Sequence, residues 1–278
     1  MAKKSEASRH GFRIPDVLLN VEDISIVFGG LRAVSNFSCR LKKGELVGLI
    51  GPNGAGKTTV FNMLSGVYTP TEGEILFTDK NGRTVQVHNR KPHQLAKLGI
   101  ARTFQNIRLF GNLSVLDNVL IAMHMQRRIG PLDAIFRTPA FYRDDERLRK
   151  KAVELLELFR IADKQDESAS NLPYGEQRKL EIARALATDP ALLLLDEPAA
   201  GMNPQETREL MELISFIRKR FDLTILLIEH DMKLVMGICE RLIVLDYGRV
   251  IATGVPEEIR DNPAVIKAYL GEEAMIDA

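Results

Sequence analysis

Residues 51–59 are the feature that most constrains how this chain can fold. They read G-P-N-G-A-G-K-T-T, directly after an apolar strand predicted over 45–50 and at the start of a helix predicted over 56–65. This fits the pattern G-x-x-x-x-G-K-[ST] in the strand-to-helix context that the pattern requires. Glycines let successive backbone N–H groups converge on phosphate oxygens, and the helix N-terminus adds partial positive charge. The segment therefore predicts a phosphate-binding loop in an α/β protein.

The side chains of this loop point to a nucleotide with Mg²⁺. Lys57 is expected to reach the β- and γ-phosphates, and the hydroxyl of Thr58 is expected to bind Mg²⁺. The candidate nucleotide contacts in the loop are Gly51, Pro52, Asn53, Gly54, Ala55, Gly56, Lys57, Thr58 and Thr59.

A second motif, L-L-L-L-D-E at 192–197, predicts a buried strand that ends in two carboxylates. Ligands of open α/β sheets bind at the carboxyl ends of the strands. Asp196 is placed to hold Mg²⁺ through water, and Glu197 to polarise the attacking water. Two adjacent acids after a strand are often ordinary surface charge. The phosphate-binding loop in the same chain favours the functional interpretation.

Composition argues against some classes of function. The charges of the 38 basic and 37 acidic side chains nearly cancel, and this small net charge disfavours a nucleic-acid partner. Cys39 and Cys239 stand far apart without a C-x-x-C or His-rich setting, so we expect small buried hydrophobes rather than a disulfide or a zinc site. The apolar runs are far shorter than the ~20 residues that span a bilayer. We expect a soluble, cytoplasmic chain with a disordered lead-in over 1–14.

Strand and helix patterns alternate along much of the chain, which predicts a parallel sheet with helical crossovers. Early strands with partial alternation predict an antiparallel sheet near the N-terminus. Residues 114–189 turn helical and predict an inserted subdomain. The segment 127–150 has no clear pattern. The predicted strands are 17–28, 33–41, 45–50, 74–77, 84–87, 191–195, 223–228 and 242–245, and a further helix is predicted over 204–220.

Together with the strings between and after them, these motifs resemble those of the ABC (ATP-binding cassette) ATPases over about residues 17–270. The resemblance implies a P-loop NTPase fold of the α/β class, with ATP and Mg²⁺ as ligands and a second ATPase subunit that completes the ATP site. The implied domain has a RecA-like core with an N-terminal antiparallel β subdomain over 15–113 and 190–255, a helical subdomain over 114–189, a C-terminal helical segment over 256–270 and a tail over 271–278.

Three single residues match further site positions of this family. Gln105 resembles the Q-loop glutamine, which senses Mg²⁺ and lies beside the transmembrane partner. His230 resembles the switch histidine that contacts the γ-phosphate, and Phe28 resembles the aromatic that stacks on adenine. By this resemblance the catalytic residues are Glu197, His230 and Lys57, and the metal is held by Thr58, Gln105 and Asp196.

The segment 172–177, L-P-Y-G-E-Q, matches the family's signature segment L-S-G-G-Q but departs from it at three positions. The resemblance makes Tyr174, Gly175 and Glu176 candidate contacts to the ATP of the second subunit. Pro173 offers neither a hydroxyl nor an N–H, whereas Gly175 and the following helix N-terminus still offer backbone donors. Asn203 stands where the family's D-loop has aspartate, which leaves the cross-dimer contact there open.

Three strings, at 101–106, 172–175 and 262–271, resemble ATPase subunits of bacterial importers for branched-chain and other hydrophobic amino acids. That resemblance implies two permease subunits and, indirectly, a periplasmic binding protein, with this chain on the cytoplasmic face of the inner membrane. An importer of amides or urea and a weakly hydrolysing, nucleotide-gated regulatory cassette are the alternatives. A soluble ABC protein acting on ribosomes or DNA is disfavoured, because such proteins usually carry two cassettes or large basic insertions.

Restoring the family's serine at position 173 gives the first prediction. Pro173→Ser is expected to strengthen ATP-dependent dimerisation by ~1–3 kcal/mol, the scale of a charge-assisted hydrogen bond. The dimerisation constant is best measured in a Glu197→Gln background, where ATP is not consumed and closed dimers accumulate. An unchanged constant would show that Gly175 and the helix N-terminus suffice.

Overall fold

The computed structural model describes residues 16–127 and 129–276, and the lead-in predicted over 1–14 lies outside the described residues. The strands are β1 Val17–Phe28, β2 Leu31–Lys42, β3 Leu46–Ile50, β4 Glu72–Thr78, β5 Thr84–Gln86, β6 Ile100–Arg102, β7 Leu192–Asp196, β8 Thr224–Ile228, β9 Arg241–Asp246 and β10 Arg249–Gly254. The helices are α1 Lys57–Leu64, α2 Pro92–Leu98, α3 Val115–Ala122, α4 Pro131–Phe136, α5 Pro139–Leu158, α6 Tyr174–Leu186, α7 Pro204–Phe221, α8 Met232–Ile238, α9 Pro256–Arg260 and α10 Pro263–Ile276.

In the described ranges the strands form two sheets, which confirms the predicted α/β class. The larger sheet has the order β10-β9-β3-β8-β7-β6 and is parallel except for β10, which pairs antiparallel with β9. The smaller sheet, β2-β1-β4-β5, is antiparallel. Helices α3 to α6 come between β6 and β7 in the chain, where the helical insertion is predicted.

The leucine run of β7 is buried on both faces. Leu193 and Leu195 join one core cluster with residues of the inserted helices and α7, and Leu192 and Leu194 join another with α1 and the antiparallel sheet. A strand covered on both sides needs a continuous apolar run instead of an alternating one. Polar groups of this strand can therefore reach the site only at its carboxyl end.

Several features are not apparent from the sequence. Strand β6 is three residues long and β10 is a half-exposed edge strand, so neither gives a clear periodic signal. The unassigned segment 127–150 holds α4 and the start of α5, and each begins with a proline at its first turn. Proline suits that position because its missing N–H has no helical partner there. Helix α10 continues past residue 270 to Ile276, into the predicted tail.

An ion pair between Arg241 and Glu45 lies at the edge of the parallel sheet where β3 and β9 begin. Arg241 Nε and Nη2 donate to the two carboxylate oxygens of Glu45 at 2.7 and 3.0 Å, and Nη2 also donates to the Arg40 carbonyl at 2.6 Å. Burial raises the pKa of the Glu45 carboxyl, but the hydrogen bonds from Arg241 and the Lys42 N–H, together with their charges, outweigh it and lower the pKa overall. The pair joins the beginning of β9 to β2 and to the turn before β3.

Glu45→Gln is expected to lower the free energy of unfolding by about 1–3 kcal/mol near neutral pH, the scale of hydrogen bonds to charged groups. Because the folded-state pKa lies below the unfolded one, this stabilisation is present above the ordinary carboxyl pKa and is lost as the pH falls through the folded value. Urea unfolding of both proteins across acidic pH should show the difference shrinking. The exposed pair Arg32–Glu72 supplies the control, since Glu72→Gln should cost under ~1 kcal/mol. A Glu45→Gln penalty independent of pH would contradict this account.

Candidate functional site

The phosphate-binding loop connects β3 to α1, and close backbone packing determines its shape. Gly51 has φ of 149°, and a Cβ on it would lie 2.0 Å from the carbonyl oxygen of Leu245. Gly56, at the N-cap of α1, has φ of 100°. The N–H of Gly248 donates to the carbonyl of Ala55 at 2.9 Å. Only glycine allows the backbone at position 51 to lie this close to the Leu245 carbonyl. The loop therefore packs against the end of β9 and the turn that follows it.

Lys57 lies inside this loop. Its ammonium donates to the carbonyls of Gly51 at 2.6 Å and Pro52 at 2.8 Å, and the residue is buried. The next residue, Thr58, is exposed on the first turn of α1. A cation and a hydroxyl therefore stand at the N-terminus of a helix, which is the arrangement that binds phosphate.

Asp196 and Glu197 lie at the carboxyl end of β7 and are both buried. Glu197 has φ of 47°, and its N–H donates to the Ile228 carbonyl at 2.9 Å. This left-handed conformation turns the chain directly after the strand. A non-glycine residue in that region carries strain, which clusters at functional sites.

The structure brings Gln105 and His230 onto Glu197. Gln105 Nε2 donates to Oε2 of Glu197 at 2.8 Å, and His230 Nε2 lies 2.5 Å from Oε1. The two oxygens of the Glu197 carboxylate therefore contact one residue each. These two residues come from opposite sides of β7, because Gln105 follows β6 and His230 follows β8. Three residues distant in sequence form one hydrogen-bonded group, at the same edge of the sheet as the phosphate-binding loop.

Two residues of this site are absent from the sequence-based candidates. Arg102 Nη2 donates to Asp196 Oδ2 at 2.7 Å. Glu229 accepts hydrogen bonds from the backbone N–H groups of Ala199 and His230 at 2.8 and 3.3 Å, and burial raises the pKa of its carboxyl. In the sequence, only their positions next to candidate residues point to them. Arg102 lies three residues before Gln105, and Glu229 lies directly before His230.

The signature segment begins α6. Pro173 is the N-cap residue, and its carbonyl accepts the N–H groups of Glu176 and Gln177. Gly175 is buried, Tyr174 is half-exposed, and the Glu176 carboxylate pairs with the Lys164 ammonium at 2.5 Å. Since serine is a favoured N-cap residue, Pro173→Ser also stabilises the helix start, and the dimerisation constant must be compared with monomer stability.

Phe28 and Asn203 have local partners in the structure. Phe28 ends β1 with 42% of its surface exposed, and its ring meets that of Tyr68 edge-on with centroids 5.1 Å apart. The exposed part of the ring can contact a further planar group. The Asn203 side chain accepts the N–H groups of Gln205 and Glu206, so it caps α7. Capping gives position 203 a structural role independent of any dimer contact.

Comparisons with known proteins agree with this geometry. Residues 34–200 match the family model described as ABC transporter, and residues 249–275 match one described as Branched-chain amino acid ATP-binding cassette transporter. The phosphate-binding loop and paired carboxylates on this α/β fold define an ATP-binding cassette. The chain belongs to the ABC transporter family and is an ABC ATPase.

Individual relatives cover most of the chain. The High-affinity branched-chain amino acid transport ATP-binding protein LivG of Salmonella typhimurium is 50% identical over 92% of this chain and 98% of its own. The corresponding BraF protein of Pseudomonas aeruginosa is 46% identical over the same shares. A crystal structure of an ATP-binding cassette of an ABC transporter in its ADP conformation matches with a TM-score of 0.78 and 30% identity, over 92% of this chain and 99% of that one.

Lys57→Ala is expected to weaken ATP binding by at least about tenfold, because a charge-assisted contact of ~1.5–3 kcal/mol is lost without a substitute. Titration calorimetry with the purified chain measures this directly. Lys43→Ala, at an exposed lysine in the turn before β3, is the matched control and should bind ATP normally. Retained ATP affinity in Lys57→Ala would remove Lys57 from the binding site.

Proposed function

We propose that this chain is the ATP-hydrolysing subunit of an importer of branched-chain amino acids, with Mg²⁺ as its cofactor. The observation that carries the proposal is the convergence of Gln105 and His230 on Glu197, which follows Asp196 at the same sheet edge as the phosphate-binding loop. The 50% identity to LivG supports the transported class. Amides and urea, left open by the sequence, have no comparable support.

In this proposal Lys57 and the backbone N–H groups of the loop bind the phosphates of ATP. Thr58 and Asp196 hold Mg²⁺, which prefers such hydroxyl and carboxylate oxygens and neutralises phosphate charge when bound. Glu197 orients the attacking water and takes its proton while the bond to the ADP oxygen breaks. Each Glu197 oxygen has one of these partners and keeps a second lone pair that can accept a hydrogen bond from the water.

Gln105 and His230 can also turn toward the nucleotide. The γ-phosphate can accept a hydrogen bond from His230, and Mg²⁺ can bind the amide oxygen of Gln105. With nucleotide bound, Gln105 would face Mg²⁺ and His230 would face the γ-phosphate. In this scheme Gln105 and His230 link the Glu197 carboxylate to the metal and to the γ-phosphate.

A second ATPase subunit completes each site. Tyr174, Gly175 and Glu176 begin α6, whose N-terminus offers backbone donors and a favourable dipole to the partner's γ-phosphate. A dimeric ATP-binding cassette in a post-hydrolysis state bound to ADP and Pi resembles this chain with a TM-score of 0.70 and 25% identity. The glutamate at 176 is tied to Lys164 within its own subunit, which limits its approach to the partner's ATP.

An open apolar cavity of about 800 Å³ beside residues 102–110 suits a permease helix. Phe110 and Ile121 are half-exposed in it, and Arg184 lies over the Phe110 ring at 5.5 Å. Because Gln105 belongs to the same loop, a helix seated here would sense the contact to Glu197. In the proposed complex of two ATPase subunits and two permeases, this chain would lie at the cytoplasmic face of the inner membrane, and a periplasmic binding protein would deliver the substrate. In the part of the chain that is described, no helix is long and apolar enough to span a membrane.

Glu197→Gln tests this function in vesicles containing the full complex with its permeases and binding protein. We expect ATP hydrolysis to fall by a factor of ~10²–10⁴, the usual worth of a general base, and leucine uptake to fall with it. ATP binding should persist, because Lys57 and Asp196 are unchanged. The matched control is Glu209→Gln, at an exposed position on α7, which should hydrolyse and transport normally.

Two results would contradict the proposal separately. Near-normal hydrolysis by Glu197→Gln would assign the water-activating role to another residue. ATP hydrolysis by the wild-type complex that leucine, isoleucine and valine fail to stimulate, with no uptake of any of them, would overturn the transported class.

A further inference from the structure

Arg102 is a buried cation that joins two separate parts of the site. It ends β6, and only 8% of its side-chain surface is exposed. Nη1 donates to Asn62 Oδ1 at 2.7 Å and to Ser65 Oγ at 2.8 Å, while Nη2 donates to Asp196 Oδ2 at 2.7 Å. One guanidinium thus bridges the end of α1 and the end of β7.

Aromatic rings hold this guanidinium in place. Its central carbon lies 5.6 Å from the centroid of Phe61 and 5.2 Å from that of Phe104. The planar group has hydrogen bonds in two directions as well as these ring contacts, so its orientation is well determined. Arg102 therefore has partners on both α1 and β7, while its buried Nε has no hydrogen-bond partner among the described residues.

The ion pair also orients the carboxylate of Asp196. Oδ2 is engaged by Arg102, whereas no donor among residues 16–127 and 129–276 bonds to Oδ1. A buried carboxylate needs a charge partner, and here the partner uses one oxygen. Oδ1 is the oxygen left for a metal or for a water bound to it.

We propose that Arg102 is a positioning residue for Mg²⁺, which it serves by holding the two metal-binding groups in a constant relative position. Asp196 lies on β7 and Thr58 lies on α1. Arg102 donates hydrogen bonds to Asn62 of α1 and to Ser65, which directly follows that helix. The inference rests on the proposed roles of Thr58 and Asp196. Partners that orient metal ligands typically contribute 10–100-fold to metal affinity.

The test measures ATP affinity of the full-length chain by calorimetry with excess EDTA and again with Mg²⁺. The ratio of the two dissociation constants is the metal-dependent gain. In Arg102→Gln we expect the affinity in EDTA to stay within about twofold of wild type, because Lys57 and the loop are intact. The metal-dependent gain should fall by about 10-fold or more.

Two further variants make the outcome specific. Arg108 is exposed and lies over the same Phe104 ring at 4.2 Å, but it has no ion pair with Asp196, so Arg108→Gln should keep the full gain. Asn62→Ala keeps the buried ion pair and removes one tether to α1. It should lower the gain in the same direction by a smaller factor, and it provides the test if Arg102→Gln does not fold.

Several results would overturn the inference. An equal loss of affinity with and without Mg²⁺ would make Arg102 merely structural, and an unchanged gain would give it no part in metal binding. A larger gain in Arg102→Gln would mean that the guanidinium competes with the metal for Asp196. If instead wild type shows no Mg²⁺-dependent gain, the proposed metal site fails with it, so the two failures are distinguishable.

Discussion

Burial of the parallel sheet on both faces is the constraint on which the site depends. Strands β3, β7 and β8 are entirely buried, so their polar neighbours can be placed only where the strands end. The phosphate-binding loop follows β3, Asp196 ends β7 and Glu197 follows it, and His230 comes two residues after β8. Because these strands are parallel neighbours, all three groups emerge at one edge.

Buried charges then connect this edge to the helical insertion. Arg178, fully buried in α6, donates to the carbonyls of Phe104 and Gln105 at 2.8 and 2.7 Å and pairs with Glu181. Burial raises the pKa of the Glu181 carboxyl, although the charge of Arg178 opposes this. The start of α6 and the loop carrying Gln105 are therefore bound to each other. Movement of the inserted helices would change the contact between Gln105 and Glu197.

The sequence predicts much of the site because its key residues lie in local patterns. The loop at 51–59 is recognisable from its spacing. The acids at the end of β7 are recognisable from their place after an apolar strand in a chain that carries this loop, and Gln105 and His230 from their resemblance to a family. Arg102 is different: an arginine in a short strand normally indicates a solvated side chain, and its partners are up to 94 positions away. No local pattern predicts a contact over such a separation.

By itself, the sequence determined the groups of the candidate site: a glycine-rich loop at a helix N-terminus, a cation inside it and two carboxylates at the end of an apolar strand. Backbone conformation and hydrophobic periodicity are local properties, so they can be deduced from neighbouring residues. Only the tertiary structure decided that Gln105 and His230 share Glu197, and that Arg102 ties Asp196 to α1. Those contacts depend on strand order and helix packing, which arise from burial across the whole chain.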